Sequence, residues 1–194
     1  MTAPLLILLH GVGARGADLM AIGHALTAAL PGAQLAAPDA PEPFDQAPNG
    51  RQWFSVAGVT AANRPARVVA ARTAFDATIA DIVQRAENPD RVVLIGFSQG
   101  AIMALDALAR GHAHEVIAFS GRLPLSAPPA PKPHARALLV HGEADPVIPA
   151  DESRQAAEAL RDRGCHTELL LLPNVGHVIS PAGLQAGLRF LAQG

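Results

Sequence analysis

Short apolar runs alternate along this chain with longer stretches whose apolar positions recur every three to four residues. The runs occupy positions 5–9, 34–37 (the weakest), 92–97, 115–119, 137–140 and 168–172, and each is bounded by Gly, Pro or Asp. They are short and lack apolar–polar alternation, which is the pattern of strands covered on both faces. The helical stretches lie between them. Positions 17–30 stop at Pro31-Gly32, and positions 66–87 place Val68, Arg72, Phe75, Ile79, Ile82 and Val83 along one side and stop before Asn88-Pro89. Positions 99–110 are apolar on most sides, which predicts a deeply packed helix. Positions 153–163 end at Gly164, and positions 181–192 carry Pro181 in the first turn, where proline is accepted.

Strand–helix alternation of this kind predicts a parallel sheet with helices on both faces. No internal repeat or boundary interrupts it, so positions 1–194 read as one domain. Two connections stand apart. Positions 42–64 form a long link of low periodicity that holds the lone tryptophan, Trp53, and whether this link moves as a lid is open. Positions 121–134 contain Pro124, Pro128, Pro129, Pro131 and Pro133, which predicts an extended surface loop. Long links in compact domains often serve function.

Composition narrows the function classes. With 49% hydrophobic and 16% charged residues, a chain of 194 residues can bury a full core and is not disordered. The net charge is −2, tyrosine is absent and aromatics make up 4%, so neither the basic footprint nor the stacking platform of a nucleic-acid binder is expected. The single cysteine, Cys165, allows no internal disulfide and reads as a small packed or edge thiol. The apolar run at positions 5–9 follows no basic residue and is too short for a membrane span. The expectation is a cytoplasmic protein without a membrane span; a homodimer is left open. His112-Ala113-His114 has too few companions for a metal site and reads as a solvated turn.

The chemistry concentrates in Gly96-Phe97-Ser98-Gln99-Gly100, which follows the run at 92–97 and opens the helix at 99–110. A G-x-S-x-G between a strand and a helix is a nucleophile elbow: the turn strains the serine, exposes its hydroxyl and brings backbone close on either side. An idle serine in a glycine-rich turn is the competing reading. A serine hydroxyl needs an adjacent base. Among the histidines, His177 in Pro173-Asn174-Val175-Gly176-His177 lies just past the last strand, at the C-terminal edge where open parallel sheets bind ligands. A carboxylate must hold the imidazole. Asp145 follows the fifth strand, whereas Glu143 falls too early on the turn and Asp151 reads as a helix cap. The order Ser98, Asp145, His177 is that of the α/β-hydrolase triad. The oxyanion would be held by the N–H of Gln99 and of Val12, the latter set between Gly11 and Gly13. His10 reads as structural, its ring bonded within that loop. Side-chain changes at Val12 or Gln99 are expected to cost less than the loss of a donor, because the donors are main-chain groups.

These segments resemble the phospholipase/carboxylesterase family of α/β-hydrolases, which includes acyl-protein thioesterases and small bacterial carboxylesterases. The resemblance rests on LLHGVG (8–13), GRQWFSV (50–56), LIGFSQGAIMAL (94–105), HGEADPVIP (141–149) and VGH (175–177), spread over nearly the whole chain. It implies the triad Ser98, Asp145 and His177, the oxyanion donors Val12 and Gln99, and a pocket wall at Trp53 and Phe54, although Trp53 could equally pack the link against the body. It also implies a six-stranded, mostly parallel sheet in the strand order 2-1-3-4-5-6. The chain departs from the family at Ala14, where an acidic residue is frequent, and it is short for the family. The fourth strand is followed by the proline-rich loop alone, so no cap domain is expected, and an open site follows that favours small or medium acyl groups. The serine argues against cysteine-based dienelactone hydrolases and aspartate-based dehalogenases of the same fold. The expected activity is hydrolysis of carboxylic esters without cofactor or metal. The alternatives are a thioesterase acting on acyl-CoA or acylated protein, a weaker peptidase reading, and a non-catalytic binding protein on the same fold.

Overall fold

The computed structural model describes residues 4–87, 89–124 and 130–193. Six strands form one parallel sheet in the order β2-β1-β5-β6-β7-β8: β1 (Leu5–Leu9), β2 (Gln34–Ala36), β5 (Val92–Phe97), β6 (Glu115–Phe119), β7 (Arg136–Gly142) and β8 (His166–Leu172). This is the expected order. Between β2 and β5 lie a short antiparallel hairpin, β3 (Glu42–Phe44) and β4 (Ala47–Gln52), and the helix α2 (Arg64–Arg85). The other helices are α1 (Met20–Ala28), α3 (Gln99–Ala109), α4 (Asp151–Arg161) and α5 (Pro181–Leu191).

The sheet divides the interior into two cores. Leu5, Ile7 and Leu9 of β1 face one core with Leu94, Val116 and Leu139, and the cover there comes from α2, α3 and α4. Leu6 and Leu8 face the other with Ile95, Phe119 and Val140, under α1 and α5. All five residues of β1 are buried, which is why its sequence shows no alternation: both faces need apolar side chains. The edge strand β2 is only half-buried, which accounts for its weak signal.

The helix α3 is buried along its entire length, as its apolar circumference predicted. Its one acid, Asp106, is neutralised by Arg72 of α2 at 2.7 Å and by Arg110 at 2.8 Å. A buried carboxylate needs such partners.

Three local expectations are corrected. Positions 42–64 are not a featureless link, since β3 and β4 pair within them. Their pattern is silent because the hairpin is held by polar contacts: Gly13 N–H donates to Arg51 O at 2.8 Å, Arg51 N–H to Ala14 O at 3.0 Å, and the Arg51 guanidinium to Ala40 O and Pro41 O. Asp151 does not cap α4 but is its first residue, with a carboxylate oxygen 3.3 Å from Arg154 Nε; its negative charge still suits the helix N-terminus. The stretch at 17–30 is a 3-10 turn over Gly16–Leu19 followed by α1. Of the proline-rich loop, Pro128 and Pro129 lie outside the described residues, and Ala130 N–H donates to Ala109 O at 2.6 Å.

Candidate active site

Ser98 stands between β5 and α3 with φ 52° and ψ −116°, a conformation costly for any residue with a Cβ. The strain is held by neighbours: Ser98 N–H donates to Phe119 O at 3.0 Å, and Ile102 N–H donates to Ser98 O at 3.1 Å. The flanking glycines have a steric reason. A Cβ on Gly96 would lie 2.4 Å from Ala101 N, and one on Gly100 would lie 2.1 Å from Leu9 O. No side chain fits at either place, so the G-x-S-x-G spacing is the footprint of a strand, a turn and a helix pressed together.

His177 reaches Ser98 from the loop after β8. Its Nε2 lies 2.9 Å from Ser98 Oγ, and its Nδ1 lies 2.7 Å from Asp145 Oδ2. The carboxylate is an acceptor, so Nδ1 carries the proton and Nε2 accepts from the hydroxyl. The ring also packs on Phe97, with centroids 4.9 Å apart. Gly142 brings the His177 and Asp145 loops together, since a Cβ there would meet Val175 O at 2.1 Å. Ala144 N–H then donates to Val175 O at 3.0 Å, and Glu143 N–H to Leu172 O at 2.9 Å.

The Asp145 side chain is wholly enclosed. Burial alone would push its carboxyl up. The hydrogen bond from His177 and the Ile148 and Val147 N–H groups, at 2.9 and 2.8 Å, outweigh burial and leave it below the ordinary Asp value. Asp145 is therefore an anion beside the imidazole.

The loop after β1 passes directly over the serine: a Cβ on Gly11 would sit 3.3 Å from Ser98 Cβ. Within that loop Gly13 N–H is used by Arg51 O and Ala14 N–H by Gly11 O. Val12 lies between, half-buried at the surface of the site. Gln99 is the first residue of α3, where main-chain N–H groups have no acceptor within the helix. His10 is fully buried. Burial pushes its ring down; Nδ1 donates to Gly11 O at 2.7 Å and Nε2 accepts from Ala40 N–H at 2.9 Å. Its bonds reach beyond its own loop, and its role is to shape it.

Trp53 and Phe54 are packed against the body of the protein, the alternative given for Trp53 above. They are 1% and 4% exposed and stand behind the site. Trp53 Nε1 donates to His10 O at 2.9 Å, and its ring meets Phe75 edge-on at 5.4 Å. The Gln99 side chain, which the sequence reading treated as incidental, pins this segment: Oε1 accepts from Trp53 N–H at 2.8 Å and Nε2 donates to Phe54 O at 2.7 Å. Phe97 and Gly142 were also overlooked, and the x of G-x-S-x-G and the glycine of H-G-x-x-D were the available signals.

A cavity of about 460 Å³ lies at the opposite edge of the sheet, lined by Ile79, Arg91, His112, His114, Glu115 and Lys132 among others. Its lining includes none of Ser98, Asp145, His177, Val12 and Gln99. Among the described residues, no three His, Cys, Asp or Glu side chains are grouped to hold a metal ion, and no helix is long and apolar enough to cross a membrane.

Comparison with known proteins bears on the family and the fold. The family model described as phospholipase/carboxylesterase matches residues 1–193. The chain is 39% identical over 193 residues to esterase YpfH of Escherichia coli (strain K12), covering 96% of this chain and 81% of that protein. It is 30% identical over 112 residues to acyl-protein thioesterase 1 of Gibberella zeae, covering 53% of this chain and 48% of that one. The crystal structure of esterase PE8 superposes with a TM-score of 0.88 at 34% identity, covering 99% of this chain and 93% of the other.

Proposed function

The chain belongs to the phospholipase/carboxylesterase family and is an esterase-type α/β-hydrolase, and on that footing we propose that it cleaves carboxylic esters of short to medium acyl chains through an acyl-enzyme on Ser98. The observation that carries this reading is the unbroken chain from Ser98 Oγ through His177 to the Asp145 carboxylate, with links of 2.9 and 2.7 Å.

Ser98 Oγ attacks the ester carbonyl while His177 Nε2 takes its proton. The carbonyl oxygen becomes an oxyanion held by the Val12 and Gln99 N–H groups. As the tetrahedral species collapses, the carbon–oxygen bond to the alcohol breaks and His177 protonates the departing oxygen. Water then attacks the acyl-serine, giving its proton to His177. The second collapse returns that proton to Ser98 Oγ and releases the acid. Asp145 stays ionised and offsets the imidazolium charge.

Two exposed apolar side chains support the acyl preference. Val147 and Val178 are 60% and 56% exposed, and they neighbour Asp145 and His177 in the chain. Only positions 120–135 follow β6, too few for a folded cap. An open apolar rim favours chains that need little enclosure. A thioesterase is the second reading, supported by the similarity to the Gibberella zeae acyl-protein thioesterase.

The test is hydrolysis of a chain-length series of p-nitrophenyl esters and matched thioesters by the wild type beside Ser98→Ala. Turnover of short and medium esters by the wild type alone supports the proposal. Faster turnover of thioesters favours the second reading. No turnover, together with no labelling of Ser98 by a fluorophosphonate, rejects both.

A further inference from the structure

Asp145 is flanked by two imidazoles, and the reaction above employs one. The other is His141 of β7, 1% exposed. Its Nε2 lies 3.2 Å from Asp145 Oδ2, the same oxygen that meets His177 Nδ1, and 2.8 Å from Ile148 O. Both neighbours are acceptors, so this nitrogen bears a proton. On the far side, Nδ1 lies 2.7 Å from the buried Ser153 Oγ of α4, which in turn lies 3.3 Å from Gly121 O. Nδ1 is thus hydrogen-bonded to a hydroxyl that is itself anchored on Gly121 O. Both ring nitrogens are therefore engaged away from Ser98 and from solvent.

We propose that His141 is a positioning residue for ester cleavage: its Nε2, hydrogen-bonded to Ile148 O and 3.2 Å from Asp145 Oδ2, keeps that carboxylate in line with His177; the inference rests on the triad reading above. The two carboxylate oxygens have different supports. Oδ1 is held by two main-chain N–H groups. Oδ2 faces only side chains, and one of them, His177, changes charge in every catalytic cycle. His141 gives Oδ2 a partner that does not change with the reaction. The positive end of its N–H, 3.2 Å away, also favours the charged carboxylate, which keeps the Nδ1 proton on His177 rather than on Asp145. The other charged groups around it are the Arg122–Glu152 pair, at 2.8 Å, with Arg122 also feeling Asp145.

The experiment compares wild type, His141→Leu, His141→Gln and Ser153→Ala for p-nitrophenyl ester hydrolysis against pH, with folding checked by circular dichroism. The leucine variant removes the donor. Its kcat should fall by about ten-fold or more, as befits a lost polar contact to a charged group, with KM within about two-fold. The midpoint of its pH–rate profile should rise, because His177 then faces a fuller negative charge. The glutamine variant sets an amide N–H where Nε2 stood and should recover most of the rate and the wild-type midpoint. A folded leucine variant with wild-type kcat and midpoint overturns the proposal. If that variant does not fold, Ser153→Ala, which frees the Nδ1 end of the ring, decides instead: a smaller change of the same sign supports it, and an unchanged profile overturns it. Wild-type labelling of Ser98 by a fluorophosphonate separates this failure from failure of the triad reading, with which the inference would fall.

Discussion

The side-chain amide of Gln99 holds the main chain of Trp53, its Oε1 accepting that residue's N–H at 2.8 Å across 46 positions of sequence. Its Nε2 closes the clamp on Phe54 O at 2.7 Å. Through Trp53 Nε1 and His10 O the clamp extends to the loop over Ser98. The residue that follows Ser98 thus ties down the segment behind the site through its side chain.

Replacing Gln99 by Ala therefore costs more than the loss of a side chain beside the serine. Two buried main-chain groups lose their partners, a destabilisation of about 2–4 kcal/mol. The proposed main-chain donor is unchanged by this substitution, so Ser98 should still react with a fluorophosphonate. Thermal denaturation should show a Tm lower by about 5–10 °C. A wild-type Tm would mean that the clamp contributes nothing.

Ser98→Ala should lower kcat by at least about 10⁴-fold, since the remaining groups cannot form the acyl-enzyme. The fold should be intact, with stability within about 1 kcal/mol of wild type. Active-site titration with a chromogenic ester checks it: the wild type shows a burst and the variant none. A surviving burst would transfer the nucleophile's role elsewhere.

Gly100→Ala should be poorly tolerated. The new methyl would stand 2.1 Å from Leu9 O, in main chain of a fully buried strand that cannot yield. A cost of about 3 kcal/mol or more is expected, or a Tm fall of about 6–12 °C. Differential scanning calorimetry of the variant measures it, and an unchanged transition would contradict the close approach.

Asp145 ties the site to acid stability. Its folded-state carboxyl lies below the ordinary value, so the unfolded chain binds more protons there and stability rises with pH between the two values. The contribution is complete above the unfolded value of about 4 and is lost as pH falls through the folded one. Asp145→Asn should show a shallower loss of Tm below about pH 4 than the wild type, and about 10⁴-fold lower kcat from the misplaced imidazole proton. Parallel acid titrations of the two proteins decide it; equal slopes would remove Asp145 as the cause.

Much of the fold and the core of the candidate site were legible in the sequence because they arise from local or periodic constraints. A strand covered on both faces must be apolar throughout, and β1, β5 and β6 declared themselves in this way. A strained serine between pressed strand and helix demands glycine at Gly96 and Gly100, so Ser98 was visible as a spacing. Asp145 and His177 were found because strand ends in a parallel sheet mark one edge, and their order along the chain is preserved there. The hairpin, the partner of Trp53 Nε1, the clamp by Gln99 and the contact of His141 with Asp145 left no such mark. Each depends on a polar atom meeting a partner from another segment at hydrogen-bond distance. That meeting is decided only when the two cores close on the sheet, because a hydrogen bond leaves no period in the sequence and packing alone sets which partner comes within reach.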